Sequence, residues 1–259
     1  MKNLIVCGAV LLVLVVSVAG QTNTTVPDCA DARAQIARLE ARLKDWAALA
    51  RYREANSQVA PRIKDERRVV FMGDSITDNW NKPAFGGFFP TRPYLDRGIS
   101  GQTTPQMLIR FPADVVDLNP QVVVILAGTN DLAGNTGPMT LKAIEDNLGA
   151  MAALARTKHI RVVLASVLPV SDYKSRDGKP IIRTTQRPPD QIKALNEWIK
   201  IFTRENKLTY LDYYSAMIDE KGFLKSELSD DGLHPNKVGY AVMSPLAEAA
   251  IDAALKSQR

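Results

Sequence analysis

Five short candidate strands, at residues 68–72, 94–99, 122–127, 160–167 and 208–211, alternate with longer stretches of helical periodicity at 104–117, 140–156, 190–206 and 238–256. No other feature limits the fold as strongly. The run Val122, Val123, Val124, Ile125, Leu126, Ala127 has no polar residue, as expected of a strand buried on both faces. Strands joined through helices of this length require crossover connections. They predict one parallel sheet covered by helices on both sides. Residues 61–259 contain no linker, internal repeat or low-complexity segment, so they are expected to form a single domain.

The amino-terminal 60 residues read differently. Lys2, an apolar run at 4–16 and the small residues Ser17, Val18, Ala19 and Gly20 have the pattern of a signal peptide at 1–20, which predicts a secreted or periplasmic protein. An uncleaved amino-terminal anchor is the alternative; after cleavage no stable membrane insertion is expected. Removing the segment takes away Cys7 and leaves Cys29 alone, so no intramolecular disulfide forms in the mature chain. Asn23, Thr24 and Thr25 fit a glycosylation acceptor if the source is a eukaryote. Residues 21–60 read as a polar leader followed by an amphipathic helical extension. Its helical spacing runs from Asp31 to Asn56, with a break near Lys44 and Asp45, and Trp46 and Leu49 are expected to pack on the main domain.

The net charge of +5 comes from basic residues interleaved with acids, without a Lys/Arg tract, so no nucleic-acid partner is expected. The His, Cys, Asp and Glu residues lack metal-ligand spacing, and neither a Gly-x-Gly-x-x-Gly nor a Gly-Lys-Ser/Thr loop is present. No metal and no cofactor are implied. The sequence leaves the oligomeric state open.

Four stretches at predicted strand ends carry chemistry. Gly73, Asp74, Ser75 and Ile76 follow the first strand, and Ser75 at a helix start is either a nucleophile or a helix cap. Gly101 can turn an N–H toward a ligand, or simply make a tight turn. Asn130, in Gly128-Thr129-Asn130-Asp131, can donate to an oxyanion from an uncharged amide, or serve a turn. His234 stands three residues after Asp231. It is either a loop histidine or the base that a serine hydroxyl needs, with Asp231 orienting the ring. His159, at a predicted helix end, reads as a structural histidine.

In this order the four blocks resemble the SGNH branch of the GDSL-type esterases and lipases, over roughly residues 68–240. The block that usually ends in Leu ends here in Ile76, one apolar residue for another. The resemblance implies a three-layer α/β/α, flavodoxin-like fold and metal-free hydrolysis of carboxylic esters. It makes Ser75 the nucleophile, His234 its base and Asp231 the orienting acid. It also implies an oxyanion hole formed by the Ser75 N–H, the Gly101 N–H and the Asn130 amide. The expected substrates are short-chain or acetyl esters, small-molecule or carbohydrate-linked. A lysophospholipase or thioesterase, a carbohydrate O-acyltransferase and a non-catalytic binding module are the alternatives. The polar segment 171–189 follows a strand end, where a long loop either lies over the ligand site or makes a surface excursion.

Overall fold

The computed structural model describes residues 29–257. The readings of a signal peptide at 1–20 and of Asn23 as an acceptor lie outside the described residues.

Strands β1 (Val69–Gly73), β2 (Tyr94–Gly98), β3 (Val122–Leu126) and β4 (Arg161–Ala165) belong to the main sheet. A separate antiparallel hairpin consists of β5 (Ser175–Arg176) and β6 (Lys179–Pro180), and β7 (Thr209–Leu211) completes the main sheet. The order is β2-β1-β3-β4-β7 and every pairing is parallel, with Val69 beside both Tyr94 and Val122. This is the strand order of flavodoxin-like sheets, in which the chain reverses direction of travel between β1 and β3. Ligands gather outside the carboxyl ends of the strands at that switch point. All five predicted strands are present.

The helices are α1 (Cys29–Lys44), α2 (Arg53–Ser57), α3 (Ser75–Trp80), α4 (Thr104–Phe111), α5 (Thr129–Leu132), α6 (Leu141–Thr157), α7 (Pro189–Glu205), α8 (Tyr214–Met217) and α9 (Lys237–Lys256). The two-residue periodicity of the strands sorts their side chains into two cores. Val70, Met72, Val123, Ile125, Val162 and Leu164 face α4, α6 and α7. Val69, Phe71, Val122, Val124, Val163 and Ala165 face α3, α8 and α9. Both faces are therefore dry, which explains why the strands read as unbroken apolar runs. α9 is long and apolar enough to cross a membrane, yet its Tyr240, Met243, Ala247 and Ile251 are buried on the sheet.

The helical spacing of the amino-terminal extension is interrupted near Lys44 and Asp45, where the sequence placed a break. α1 ends at Lys44, and the Asp45 carboxylate accepts from the Leu49 and Ala50 N–H groups at 2.7 and 2.9 Å, a local alternative to helical bonding. Trp46 and Leu49 each remain 42% exposed, so they are not the anchors. Polar groups dock the segment instead. The Tyr52 hydroxyl donates to the Gly98 carbonyl, and the Asn56 amide donates to Asp114 at 2.7 Å. The Gln102 side chain donates to the Ala47 carbonyl at 2.8 Å.

Candidate active site

β1 stops at Gly73 and α3 begins at Ser75, with Asp74 as the cap between them. Asp74 Oδ1 accepts from the Ile76 N–H at 2.9 Å, so the capping role weighed for Ser75 falls to its neighbour. The Ser75 hydroxyl is free to face His234, and its Oγ lies 2.9 Å from His234 Nε2. The Asp74 carboxyl is fully buried, and among the described residues its Oδ2 has no hydrogen-bond partner. Burial pushes it up to about 6, although the Ile76 N–H pulls the other way.

His234 comes from the loop between β7 and α9. Gly232 shapes that loop with φ +75°, and a Cβ there would lie 2.1 Å from the Ser171 carbonyl oxygen. Its own carbonyl accepts from the Ser171 N–H at 2.9 Å. Only glycine permits this approach between the loop and the chain after β4. Asp231 Oδ2 lies 2.8 Å from His234 Nδ1. The other oxygen, Oδ1, accepts from the His234 and Leu233 N–H groups and from the Ser229 hydroxyl. Half-burial pushes the Asp231 carboxyl up, but the His234 ring and backbone hydrogen bonds outweigh it and hold the group well below the usual carboxylate range. An ionised carboxylate can only accept, so Nδ1 carries the hydrogen and the Nε2 lone pair faces the Ser75 hydroxyl.

The blocks at Gly101 and Asn130 converge on the same edge. Gly101 has φ +81°, the left-handed conformation its place in the sequence pointed to. Asn130 is the second residue of α5, just after β3, and its Nδ2 donates to the Gln102 carbonyl at 3.0 Å. Asp131 ties the two blocks together by accepting from the Thr104 N–H at 2.9 Å and from its hydroxyl at 2.5 Å. All five residues read from the sequence thus lie at one edge of the sheet, on the loops after β1, β2 and β3 and before α9. His159, in contrast, sits exposed at the end of α6 with φ +58°.

Three arginines around the site escaped sequence reasoning. Arg110 on α4 is fully buried; it pairs with Asp114 and donates to the Gly73 carbonyl, each at 3.0 Å. Arg183 donates from Nε to the Asp231 carbonyl and from Nη2 to Asp231 Oδ2, both at 3.0 Å. Arg187, only 5% exposed, donates to the Thr129 hydroxyl at 3.1 Å and to Asn130 Oδ1 at 3.3 Å. Burial pulls its guanidinium below the ordinary value. From its length and polarity segment 171–189 read as either a loop over the ligand site or a surface excursion, and nothing in the sequence says which of its basic residues turn inward.

Two small clefts adjoin this edge, one at Gly101 and one at His234. One, of about 350 Å³, runs past Gly101 and Gln102 to Trp46, Gln106, Asn135 and Thr136. The other, of about 210 Å³, adjoins His234 with Asn79, Phe85, Asp230 and Asn236. The larger cleft of about 600 Å³ near Arg156, His159 and Lys207 lies at the strands' opposite ends, near the starts of β4 and β7. The chemistry, not the volume, locates the site. Among the described residues no group of three or more His, Cys, Asp or Glu side chains is placed to hold a metal ion.

This geometry has known counterparts. Residues 71–242 match the GDSL-like Lipase/Acylhydrolase family. The chain belongs to that family. Membership places it among the serine ester hydrolases. A protein from Bacteroides fragilis is 39% identical, with a TM-score of 0.74 over 82% of this chain and 99% of that one. A GDSL-like lipase from Bacteroides thetaiotaomicron is 40% identical, with a TM-score of 0.73 over 80% of this chain and 98% of its own. An uncharacterized lipoprotein of Bacillus subtilis is 33% identical over 79 residues, 29% of this chain. The match spans about a third of that curated relative, 32% of its length.

Proposed function

We propose that this GDSL-family protein is an exported serine esterase that cleaves short-chain or acetyl esters, including carbohydrate-linked ones, through Ser75, His234 and Asp231. The observation that carries the reading is the unbroken contact from Ser75 Oγ to His234 Nε2 at 2.9 Å and from His234 Nδ1 to Asp231 Oδ2 at 2.8 Å.

In the first half-reaction Ser75 Oγ attacks the ester carbonyl while His234 Nε2 takes its proton. Asp231 keeps the ring in the needed tautomer and stabilises the imidazolium. The tetrahedral oxyanion rests on the Ser75 N–H, the Gly101 N–H and the second hydrogen of Asn130 Nδ2, whose first is held by Gln102. His234 then hands the proton to the leaving alcohol. In the second half the same histidine activates water, which attacks the acyl-serine and frees the carboxylic acid.

The cleft walls support this substrate class. The clefts are small, and amides, hydroxyls, carboxylates and the aromatic rings of Trp46 and Phe85 line them, which suits a small acyl group on a hydrophilic alcohol. Export rests on the charged, apolar and small-residue pattern of residues 1–20. A series of p-nitrophenyl esters from acetate to palmitate, run beside an acetylated xylan, tests the proposal. Activity concentrated on acetate and on the polysaccharide supports it, and a preference for palmitate contradicts it.

A further inference from the structure

We propose that Arg187 and Arg183, both delivered by segment 171–189, are positioning residues for the esterase centre, Arg187 acting through Asn130 and Arg183 through Asp231. The inference rests on the esterase reading above. It adds to that reading two cations that do not touch the reacting atoms.

Segment 171–189 is tied shut at its base. Asp172 Oδ1 accepts from the Arg183 N–H at 2.6 Å and from the Thr184 N–H at 3.1 Å, and Oδ2 accepts from the Thr184 hydroxyl at 2.5 Å. The β5–β6 hairpin forms the exposed tip. The base is where the backbone is best fixed, and Arg183 leaves the chain there.

Arg187 is buried, yet among the described residues no carboxylate forms an ion pair with it. Its bonds go to neutral oxygens, on Thr129, Asn130 and Gln186. Asp74 and Asp231 act on it through space without bonding to it; a desolvated cation without a hydrogen-bonded counterion is costly, and structural needs alone are met better by an apolar side chain. The cost is offset if negative charge develops nearby in the transition state, where a fixed positive charge needs no reorganisation. The Asn130 amide is the link. Arginine can only donate and the Gln102 carbonyl can only accept, so the amide is locked with Oδ1 toward Arg187 and Nδ2 toward Gln102. A flip would mismatch both bonds. The guanidinium also draws electron density from Oδ1, which makes the Nδ2 hydrogens better donors.

Arg183 performs the corresponding task for the acid. Its Nη2 shares Asp231 Oδ2 with His234 Nδ1 at 3.0 and 2.8 Å, and its Nε grips the Asp231 carbonyl. The carboxylate oxygen that faces the ring is therefore held by a second donor, which restrains it from rotating away.

A double-mutant cycle separates these roles from general support of the fold. Turnover of p-nitrophenyl acetate is measured for wild type, Arg187→Met, Asn130→Ala and the double variant, with the thermal midpoint of each. Arg187→Met is expected to lower kcat about tenfold or more with KM nearly unchanged, by analogy with other groups that orient a first contact. In the Asn130→Ala background the same substitution is expected to change kcat less than twofold, and Arg187→Lys is expected to recover part of the loss. An equal fold-loss in both backgrounds, or no loss from Arg187→Met, overturns the proposal. If Arg187→Met does not fold, Arg187→Lys and the Arg183→Met cycle with Asp231→Asn decide the matter by the same criterion. A wild type that neither turns over the ester nor forms an acyl-serine overturns the esterase reading itself, an outcome distinct from active enzyme with additive variants.

Discussion

Asn130 is the residue at which the oxyanion assignment is most exposed to test. Its amide is held from both sides, by Arg187 and by the Gln102 carbonyl, so replacing it removes a placed donor without disturbing the backbone of α5. Loss of one such donor costs about 3 kcal/mol of barrier. Asn130→Ala is expected to fold normally and to lose roughly a hundredfold in kcat; near wild-type kcat would remove Asn130 from the mechanism. Asp74 offers a second test, through pH. Its carboxyl is pushed by burial to about 6, whereas a carboxyl in the unfolded chain titrates near 3.9. The folded state therefore binds the Asp74 proton more tightly, and the associated stability is present at low pH and lost as pH rises through about 6. Asp231, held low by its hydrogen bonds, contributes in the opposite sense, with stability lost on acidification. Comparing wild type with Asp74→Asn isolates the first effect. The unfolding free-energy difference is expected to move in favour of the Asn variant between about pH 4 and 7, and a difference constant with pH would contradict the raised carboxyl.

At the level of elements, the loop before α9 and segment 171–189 form one unit, joined where Gly232 meets Ser171 and where Arg183 meets Asp231. Gly232→Ala forces a Cβ against the Ser171 carbonyl at a positive φ. It is expected to lower stability by at least about 1 kcal/mol and to depress turnover with it, because the same turn aims His234. A variant with unchanged melting and unchanged rate would show that the contact is dispensable. Trp80 on α3 makes a comparable test of packing, since it is 2% exposed and lies among the rings of Phe71, Phe88, Phe89 and Tyr240. Trp80→Ala is expected to cost about 3–5 kcal/mol in denaturant unfolding, and a loss below 1 kcal/mol would contradict its place in that core. Sequence periodicity located these elements wherever apolar spacing carried the signal, as in β3, α6 and α7. It placed the break near Lys44 and Asp45 but not its cause, an Asp45 side chain competing for backbone N–H groups. It also could not tell that Trp46 and Leu49 stay half exposed while Tyr52 and Asn56 make the contacts.

Across the whole molecule, the order β2-β1-β3-β4-β7 brings Ser75 and Asn130 to either side of the switch point, while the link to α9 supplies Asp231 and His234. This convergence was legible because each of the five residues has a Gly within three positions of it, near the end of a predicted strand or the start of a helix. The three arginines were not, because a long basic side chain reads the same in sequence whether it turns to water or, like Arg110, is buried beneath the site. The central claim is that Ser75 forms an acyl intermediate with His234 as its base. Mass spectrometry of the intact protein after reaction with an organophosphonate ester, followed by peptide mapping, tests it most directly. The account predicts one adduct, on Ser75, absent in Ser75→Ala and greatly slowed in His234→Ala. Labelling at another residue, or labelling of Ser75 at the same rate without His234, would contradict it.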